Sequence, residues 1–373
     1  MIIESMYPPA PANRSERVHD ADAANAALAR LSAVRKGYLT DRFISSLLPR
    51  AQLQPLRSPL INTGTYVRSE AIDRLVEQWL ELSKPEGQPC QIVSLGAGSD
   101  TRFWRLMDGP WKEQIGAYFE LDFPDVTLKK AMAIRNPRSG LQHYSWSFGA
   151  RSVRSPNDVR ITTSAIILVD LGGQALHSSR YHLLPCDLRN PPGDIFPGLF
   201  KEYLSPTLPT LLLFECVLVY MSPEASSILI QWFVDFFSPS THTPSPGALG
   251  CTVYEMFGLE DSFGQVMMNN LRARNVSLPG AKPYPSLESL PSRFLKHGFT
   301  SGKALTLRNI RSNYIEPSEL ERISSLEMLD EVEELNLVLE HYAITWGVKA
   351  SSSISPWIEW GLRPVKQQLA DTV

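Results

Sequence analysis

CQIVSLGAGSDTRFWRL, residues Cys90 to Leu106, contains an apolar run that stops at the turn Gly96-Ala97-Gly98 and passes directly into a helical segment. In α/β sheets, a glycine-rich turn between a strand and a helix is a common binding place for a nucleotide-containing cofactor. The stretch therefore predicts an α/β protein whose first loop holds such a cofactor.

The sequence that follows keeps alternating between strand and helix. The strands are predicted at Gln91–Leu95, Ala117–Leu121, Tyr181–Cys186, Thr210–Phe214 and Ala248–Tyr254, and the helices at Thr101–Leu106, Asp125–Ile134, Ile195–Tyr203 and Glu224–Phe237. This alternation is typical of a doubly wound, mostly parallel sheet with helices on both faces. The predicted fold class is α/β.

Further elements are predicted on either side of this core. Two helices precede the first strand: one begins near Asp20, and the other covers Ile72 to Leu80 after a proline-broken connection from Pro49 to Pro59. The later elements are predicted as a short helix at Leu287–His297, a strand at Gly302–Leu307, a helical run from Pro317 and a final strand at Tyr342–Val348.

These elements predict one elaborated domain over residues 21–350, with a flexible arm at 1–20 and a tail at 351–373. Its parts are the helices of 21–84, the core of 90–257 and a region at 258–350 on the substrate side. Residues 136–177, rich in Arg, Ser and Pro, read as a surface insertion. Within it the apolar run Ala165–Leu171 is either an extra strand or a buried turn.

Composition gives no support for several classes of partner. The net charge of -3 and the pI near 6.2 give no electrostatic case for nucleic acid or a membrane surface. The four cysteines stand far apart without a metal-binding spacing, and no secretory leader precedes them, so they read as reduced core thiols of a cytoplasmic protein. We expect a monomer without a metal ion.

The residues after the glycine turn bear on which cofactor binds. The third glycine of a dinucleotide fingerprint is replaced by Thr101, and Asp100 precedes it. A carboxylate at the helix start would repel a diphosphate. It would not disturb S-adenosylmethionine, which has no phosphate and carries a positive sulfonium. The loop therefore favours the methyl donor.

Acidic residues recur where later strands end. Asp122, at the end of the second strand, can accept hydrogen bonds from both ribose hydroxyls. Asp187 and Leu188 follow the third strand, where an acid could accept from the adenine amine while an apolar residue packs on the ring. Glu215 ends the fourth strand inside an apolar run, so it is either functional or paired with a nearby cation.

Taken together, the chain resembles the leucine carboxyl methyltransferases, which methyl-esterify the carboxy-terminal leucine of the protein phosphatase 2A catalytic subunit. The resemblance spans residues 21–350 and is carried in order by INTGTYVR (61–68), LGAGSDTR (95–102), YFELDFPDV (118–126), LLPCDLRN (183–190), ECVLVYMSPE (215–224), YEMFGLEDSFGQVMMNNLRAR (254–274) and LESLPSRFLKHGF (287–299). It implies a Rossmann-like class I fold with an antiparallel C-terminal strand and an N-terminal helical lid.

The resemblance also implies the residues that bind S-adenosylmethionine. They are Arg68, Gly96 with Gly98, Asp122, Asp187, Leu188 and Glu215. A cation on the N-terminal helix is implied for the donor's carboxylate. Its position corresponds to Arg30, with Arg35 and Lys36 as close alternatives.

The implied chemistry needs few catalytic groups. A peptide α-carboxylate has a pKa of about 3.3–3.7 and is already an anionic nucleophile near pH 7, so no general base or metal is required. Tyr220 and Tyr254 follow the fourth and fifth strands and are predicted to line the acceptor side. Two alternatives remain open: a methyltransferase for a polyketide-like metabolite or a tRNA base, and a donor-binding phosphatase regulator without turnover.

Overall fold

The computed structural model describes residues 14–85, 87–141, 168–200, 203–241, 243, 245–330, 332–350 and 355–365. Most of the predicted insertion, residues 142–167, therefore lies outside the described residues. No helix of the described part is long and apolar enough to cross a membrane.

The described residues form one nine-stranded sheet in the order β3-β4-β5-β2-β1-β6-β7-β9-β8. The strands are β1 Cys90–Leu95, β2 Ile115–Asp122, β3 Leu168–Asp170, β4 Ala175–His177, β5 Tyr181–Pro185, β6 Thr210–Glu215, β7 Leu249–Met256, β8 Ser301–Thr306 and β9 Tyr342–Lys349. Strands β5, β2, β1, β6 and β7 are parallel. The pairings β7 with β9 and β8 with β9 are antiparallel, which confirms the predicted C-terminal strand.

The helices lie before, between and after these strands. They are α1 Arg14–Arg35, α2 Ile44–Leu47, α3 Pro59–Ser83, α4 Arg102–Asp108, α5 Pro124–Arg135, α6 Pro192–Phe200, α7 Pro223–Phe236, α8 Ser262–Ala273, α9 Ser292–Leu295, α10 Leu307–Asn313, α11 Pro317–Ser324 and α12 Val332–Glu340. The doubly wound α/β fold predicted from the sequence is confirmed.

Several predicted boundaries are wrong. Helix α1 begins at Arg14, inside the predicted arm, and α3 begins at Pro59, inside the predicted connection. Proline fits the first turn of a helix because its missing N–H has no partner there anyway. The predicted helix Leu287–His297 is a 3-10 turn followed by the single turn α9, and the open apolar run contains the short strand β3.

Helices cover both faces of the sheet, because the buried strands present apolar side chains on both sides. On β2, Tyr118 packs in the cluster that contains Ile72 of α3, whereas its neighbour Phe119 packs in the cluster that contains Phe233 of α7. Because strands β5, β2, β1, β6 and β7 run parallel, their carboxyl ends all lie at the same edge of the sheet. The loops that follow them meet there.

A segment near the C-terminus packs against α3. Trp357 and Trp360 lie against Trp79, with ring centroids 4.4 and 5.0 Å away, and the indole N–H of Trp360 donates to the carbonyl of Leu75 (2.8 Å). Residues 355–365 of the predicted tail are thus part of the core.

Candidate functional site

A cavity of about 350 Å³ opens at the carboxyl ends of the parallel strands. In open α/β sheets, ligands bind at this edge. The cavity is lined by all ten of the binding and acceptor residues predicted from the sequence: Arg30, Arg68, Gly96, Gly98, Asp122, Asp187, Leu188, Glu215, Tyr220 and Tyr254. The fold brings together residues that lie up to 224 positions apart.

The floor of the cavity is the backbone of the first loop. Gly96 and Gly98 have φ values of +71° and +53°, a conformation that glycine adopts without steric cost. A Cβ atom on Gly96 would lie 2.4 Å from a methyl carbon of Val217. The N–H of Gly96 donates to the carbonyl of Leu121 (2.7 Å), which ties the loop to β2. A ligand can therefore approach the peptide chain itself.

Asp122 stands at the end of β2 and is 8% exposed. Its Oδ2 accepts the N–H of Gly98 (2.7 Å), and its Oδ1 accepts the N–H of Phe123 (2.7 Å). These two bonds fix the carboxylate at the loop. An ionised carboxylate offers about four acceptor positions, so the group is suited to a pair of hydroxyls.

Asp187 and Leu188 follow β5 at the other end of the floor. Arg189 holds both oxygens of Asp187, with its Nε 2.8 Å from Oδ1 and its Nη2 2.6 Å from Oδ2. The Arg189 guanidinium also lies 5.2 Å from the ring centre of Phe123. This rim of an acid, an apolar side chain and an aromatic ring can receive a flat heterocycle.

Arg68, on α3, reaches the cavity from the opposite side. Its side chain is 17% exposed, its guanidinium lies 5.3 Å from the ring centre of Tyr254, and its Nε is 3.7 Å from Oε2 of Glu215. That Nε has no hydrogen-bond partner among the described residues. Burial alone would lower the pKa of Arg68, but Glu215 raises it above its ordinary value. A buried cation with an unused donor is suited to an anionic group.

Glu215 has a second cationic partner. Nη2 of Arg102 donates to its Oε1 at 3.0 Å. The sequence left two interpretations of Glu215 open, a functional group and a charge paired with a cation, and the geometry agrees with both. The next residue, Cys216, has a left-handed φ of +53°, a conformation that costs a non-glycine residue of order 1–3 kcal/mol. It turns the chain sharply beside the cavity.

Three cations near the end of α1 were candidates for the donor's carboxylate, and only Arg30 among them lines the cavity. Its Nε donates to Asp41 (2.6 Å) and its Nη1 to Ser69 (3.1 Å). Arg35 instead donates to the carbonyl of Gln54, and Lys36 pairs with Glu327 (2.8 Å).

One expectation needs correction. Cys90, Cys186 and Cys251 are buried, but Cys216 is half-buried and lines the cavity, so it is not a core thiol. The reason is the sharp turn after β6, which leaves the buried strand at this residue.

The sequence reasoning missed residues that act through their neighbours. Arg102 was read only as part of a helix start, although it contacts Asp73, Asp100 and Glu215. Arg189 and Tyr342 also line the cavity. A signal was available for Arg102, because an arginine next to the large apolar residues Phe103 and Trp104 needs a partner when it is buried. The partner itself could not be read from the sequence.

The described residues hold no cluster of three or more potential metal ligands. His177 and His182 contact each other, His297 contacts Gln231, and His341 contacts Asp261. None of these histidines lines the cavity.

Comparison with known proteins assigns the chain to a family. Residues 21–234 match the family model described as leucine carboxyl methyltransferase. Proteins named leucine carboxyl methyltransferase 1 are similar over nearly the whole chain: that of Cryptococcus neoformans (strain JEC21) is 43% identical over 93% of this chain and 98% of its own length. The chain belongs to the leucine carboxyl methyltransferase family.

More distant members of the leucine carboxyl methyltransferase family match as well. The protein of Aspergillus fumigatus is 36% identical over 93% of this chain and 86% of its own, and that of Bos taurus is 32% identical over 88% and 89%.

A solved putative methyltransferase from Thermobifida fusca aligns with a TM-score of 0.43 and 13% identity, covering 82% of this chain and 93% of that chain.

The family is one of methyltransferases that use S-adenosylmethionine. The cavity fits this molecule in two independent ways. Asp122, held at the end of β2 by the N–H groups of Gly98 and Phe123, can accept from the ribose hydroxyls. The guanidinium of Arg68, whose Nε has no hydrogen-bond partner among the described residues, can meet the carboxylate of a methionine group.

Proposed function

We propose that this methyltransferase esterifies the α-carboxylate of a carboxy-terminal leucine, and that the leucine is the last residue of the protein phosphatase 2A catalytic subunit. The names of the relatives support the leucine carboxylate as acceptor. The phosphatase comes from the resemblance described above, and we expect the enzyme to meet it as a cytoplasmic monomer.

The proposal rests on the side chains that line the part of the cavity away from the first loop. Away from the glycine floor the lining becomes aromatic and apolar: Tyr220, Met221, Tyr254, Met256 and Tyr342. The ring of Tyr342 stacks on Tyr254 at 5.4 Å with an interplanar angle of 14°. Such a surface suits a branched apolar side chain.

The same part of the cavity also suits an acceptor that is already an anion. Among the described lining residues, the acid nearest to it is Glu215, whose oxygens face Arg102 and Arg68. A phenol or alcohol acceptor would need a base to remove its proton, whereas a carboxylate does not.

We assign the remaining residues accordingly. Arg68 and Arg30 hold the donor's carboxylate, Glu215 its amino group and Asp122 its ribose, while Asp187 and Leu188 receive the adenine. S-adenosylmethionine supplies an electrophilic methyl group when bound. Tyr220 and Tyr254 position the acceptor, so that alignment in a pocket with little water does most of the catalysis.

The test is a transfer of labelled methyl from S-adenosylmethionine to the phosphatase catalytic subunit, either intact or lacking its last residue. We expect label on the intact subunit only, and we expect mild alkali to release it, because a methyl ester hydrolyses under those conditions.

Label that survives deletion of the terminal leucine would contradict the proposal. Donor binding without transfer to the intact subunit would favour the non-catalytic regulator. Transfer to a small polyketide-like acid or to tRNA in place of the subunit would favour a different acceptor.

A further inference from the structure

Arg102 joins three elements that surround the cavity. It is the first residue of α4 and is 2% exposed. Nε donates to Asp73 of α3 (2.8 Å), Nη1 to Asp100 of the first loop (2.5 Å) and Nη2 to Glu215 of β6 (3.0 Å). Each nitrogen of one guanidinium thus holds a carboxylate from a different part of the chain.

The charges on both sides of these contacts are strongly stabilised. Burial alone would lower the pKa of Arg102, but Asp100 and Glu215 raise it well above its ordinary value. Burial would raise the pKa of Asp73, but Arg105 and Arg102 lower it below its ordinary value. Because removing one partner of a buried ion pair leaves an uncompensated charge, breaking any of these contacts costs stability.

The effect on the cavity passes through Glu215. With Oε1 bound to Arg102, its Oε2 faces the Nε of Arg68 at 3.7 Å. The carboxylate therefore lies between Arg102, which donates from every guanidinium nitrogen, and Arg68, whose Nε has no hydrogen-bond partner in the part of the chain that the structure describes.

We propose that Arg102 is a positioning residue for the methionine portion of the methyl donor, which it orients through Glu215 and Asp100. Asp122 and Asp187 bind the adenosine portion. The proposal rests on the assignment of Glu215 to the donor's amino group, and it is independent of which acceptor is methylated.

The chain offers a matched control. Arg293 is also 2% exposed, and its Nη2 donates to Oε2 of Glu255 (2.9 Å), a glutamate near the end of β7. Neither Arg293 nor Glu255 lines the cavity. Arg293→Lys therefore disturbs a comparable buried pair without touching the site.

The experiment compares two ligands by calorimetry, with no acceptor present. S-adenosylhomocysteine carries the amino and carboxylate groups, whereas 5′-methylthioadenosine lacks them. Arg102→Lys should weaken S-adenosylhomocysteine binding by roughly tenfold to a hundredfold, the worth of a hydrogen bond to a charged group, and leave methylthioadenosine nearly unchanged. Arg293→Lys should leave the ratio of the two affinities as in the wild type.

A double-variant cycle then tests the route through Glu215. If Arg102 acts through this residue, Arg102→Lys should add little to the loss caused by Glu215→Gln. Equal losses for both ligands, or fully additive losses in the cycle, would overturn the proposal. Normal S-adenosylhomocysteine binding by Glu215→Gln alone would instead overturn the assignment of Glu215.

A second variant covers the case in which Arg102→Lys does not fold. Asp73→Asn removes one anchor of Arg102, and Asp73 does not line the cavity. A selective loss of S-adenosylhomocysteine affinity supports the proposal. An unchanged ratio of the two affinities contradicts it.

Discussion

Glu120 lies two residues before Asp122 on β2, but its role is to support the first loop. It is fully buried, and its Oε2 accepts from Nζ of Lys130 (2.5 Å) and from the hydroxyl of Tyr181 (2.6 Å). The same Nζ donates to the carbonyl of Asp100 (2.8 Å). Glu120 therefore supports the first loop from below.

This environment makes stability depend on pH. Burial raises the pKa of Glu120 from 4.5 to about 7, although Lys130 opposes the shift. Between these values the folded protein binds more protons than the unfolded chain, so the contribution of Glu120 to stability falls as the pH rises. The free energy of unfolding of the wild type, minus that of Glu120→Gln, should decrease by about 3 kcal/mol from pH 4.5 to pH 8.

Urea denaturation at four pH values within that range measures this difference. Glu113→Gln serves as the control, because the Glu113 side chain is 60% exposed, and its difference from the wild type should be nearly constant. A difference for Glu120→Gln that is constant or increases with pH would show that the carboxyl is charged throughout.

Single residues divide sharply into those that a sequence can reveal and those that it cannot. Asp122 could be chosen over Glu120 because it lies nearer the strand end. The Asp73 partner of Arg102 is 29 residues away on another helix, and no local pattern links the two. Pairings of this kind depend on how α3 packs on the sheet.

That packing is closest where α3 crosses β7. Gly250 lies beneath Trp79, and a Cβ atom there would come within 2.5 Å of the indole ring. Trp79 is fully buried and also contacts the ring of Trp357. The helix can therefore not move away without breaking a second contact.

Gly250→Ala should consequently lower the free energy of unfolding by about 1–3 kcal/mol, the usual cost of overpacking a core. Gly198→Ala is the control, because no atom lies within 4 Å of its Cβ position and alanine favours a helix such as α6 by up to about 1 kcal/mol. Chemical denaturation compares the two. A Gly250→Ala protein as stable as the wild type would mean that Trp79 has room to shift.

At the level of elements, type and order followed from the sequence better than boundaries did. The five parallel strands lie where apolar runs predicted them, because strands buried on both faces need such runs. The start of α3 was misplaced because Pro59 was read as a helix breaker. The apolar run Ala165–Leu171 was left open between a strand and a buried turn because its pattern fits both, and it contains β3.

At the scale of the whole molecule, the segment of residues 355–365 near the C-terminus packs against the core. Trp357 and Trp360 are each 4% exposed and cover Trp79. The segment therefore contributes to the core around α3, which carries Arg68 to the cavity and Asp73 to Arg102.

A chain that ends after Ala350 should lose at least about 3 kcal/mol of stability, because it exposes Trp79 and removes two buried indoles. Trp360→Phe should lose only about 1 kcal/mol, the worth of the hydrogen bond to Leu75. A chain that ends after Val365 keeps both tryptophans and is the control. Equal thermal unfolding of the Ala350 and Val365 chains would show that the segment adds nothing.

The glycine floor has a consequence for inhibitors. Because a side chain on Gly96 is disfavoured by its backbone conformation and blocked by the 2.4 Å approach to Val217, a compound resting there meets the peptide backbone of the turn and no side chain of residue 96. Any methyltransferase with the same turn presents that surface, so contacts with it add affinity but no selectivity. Selective compounds would have to extend to the aromatic and methionine side chains at the other end, Tyr220, Met221, Met256 and Tyr342.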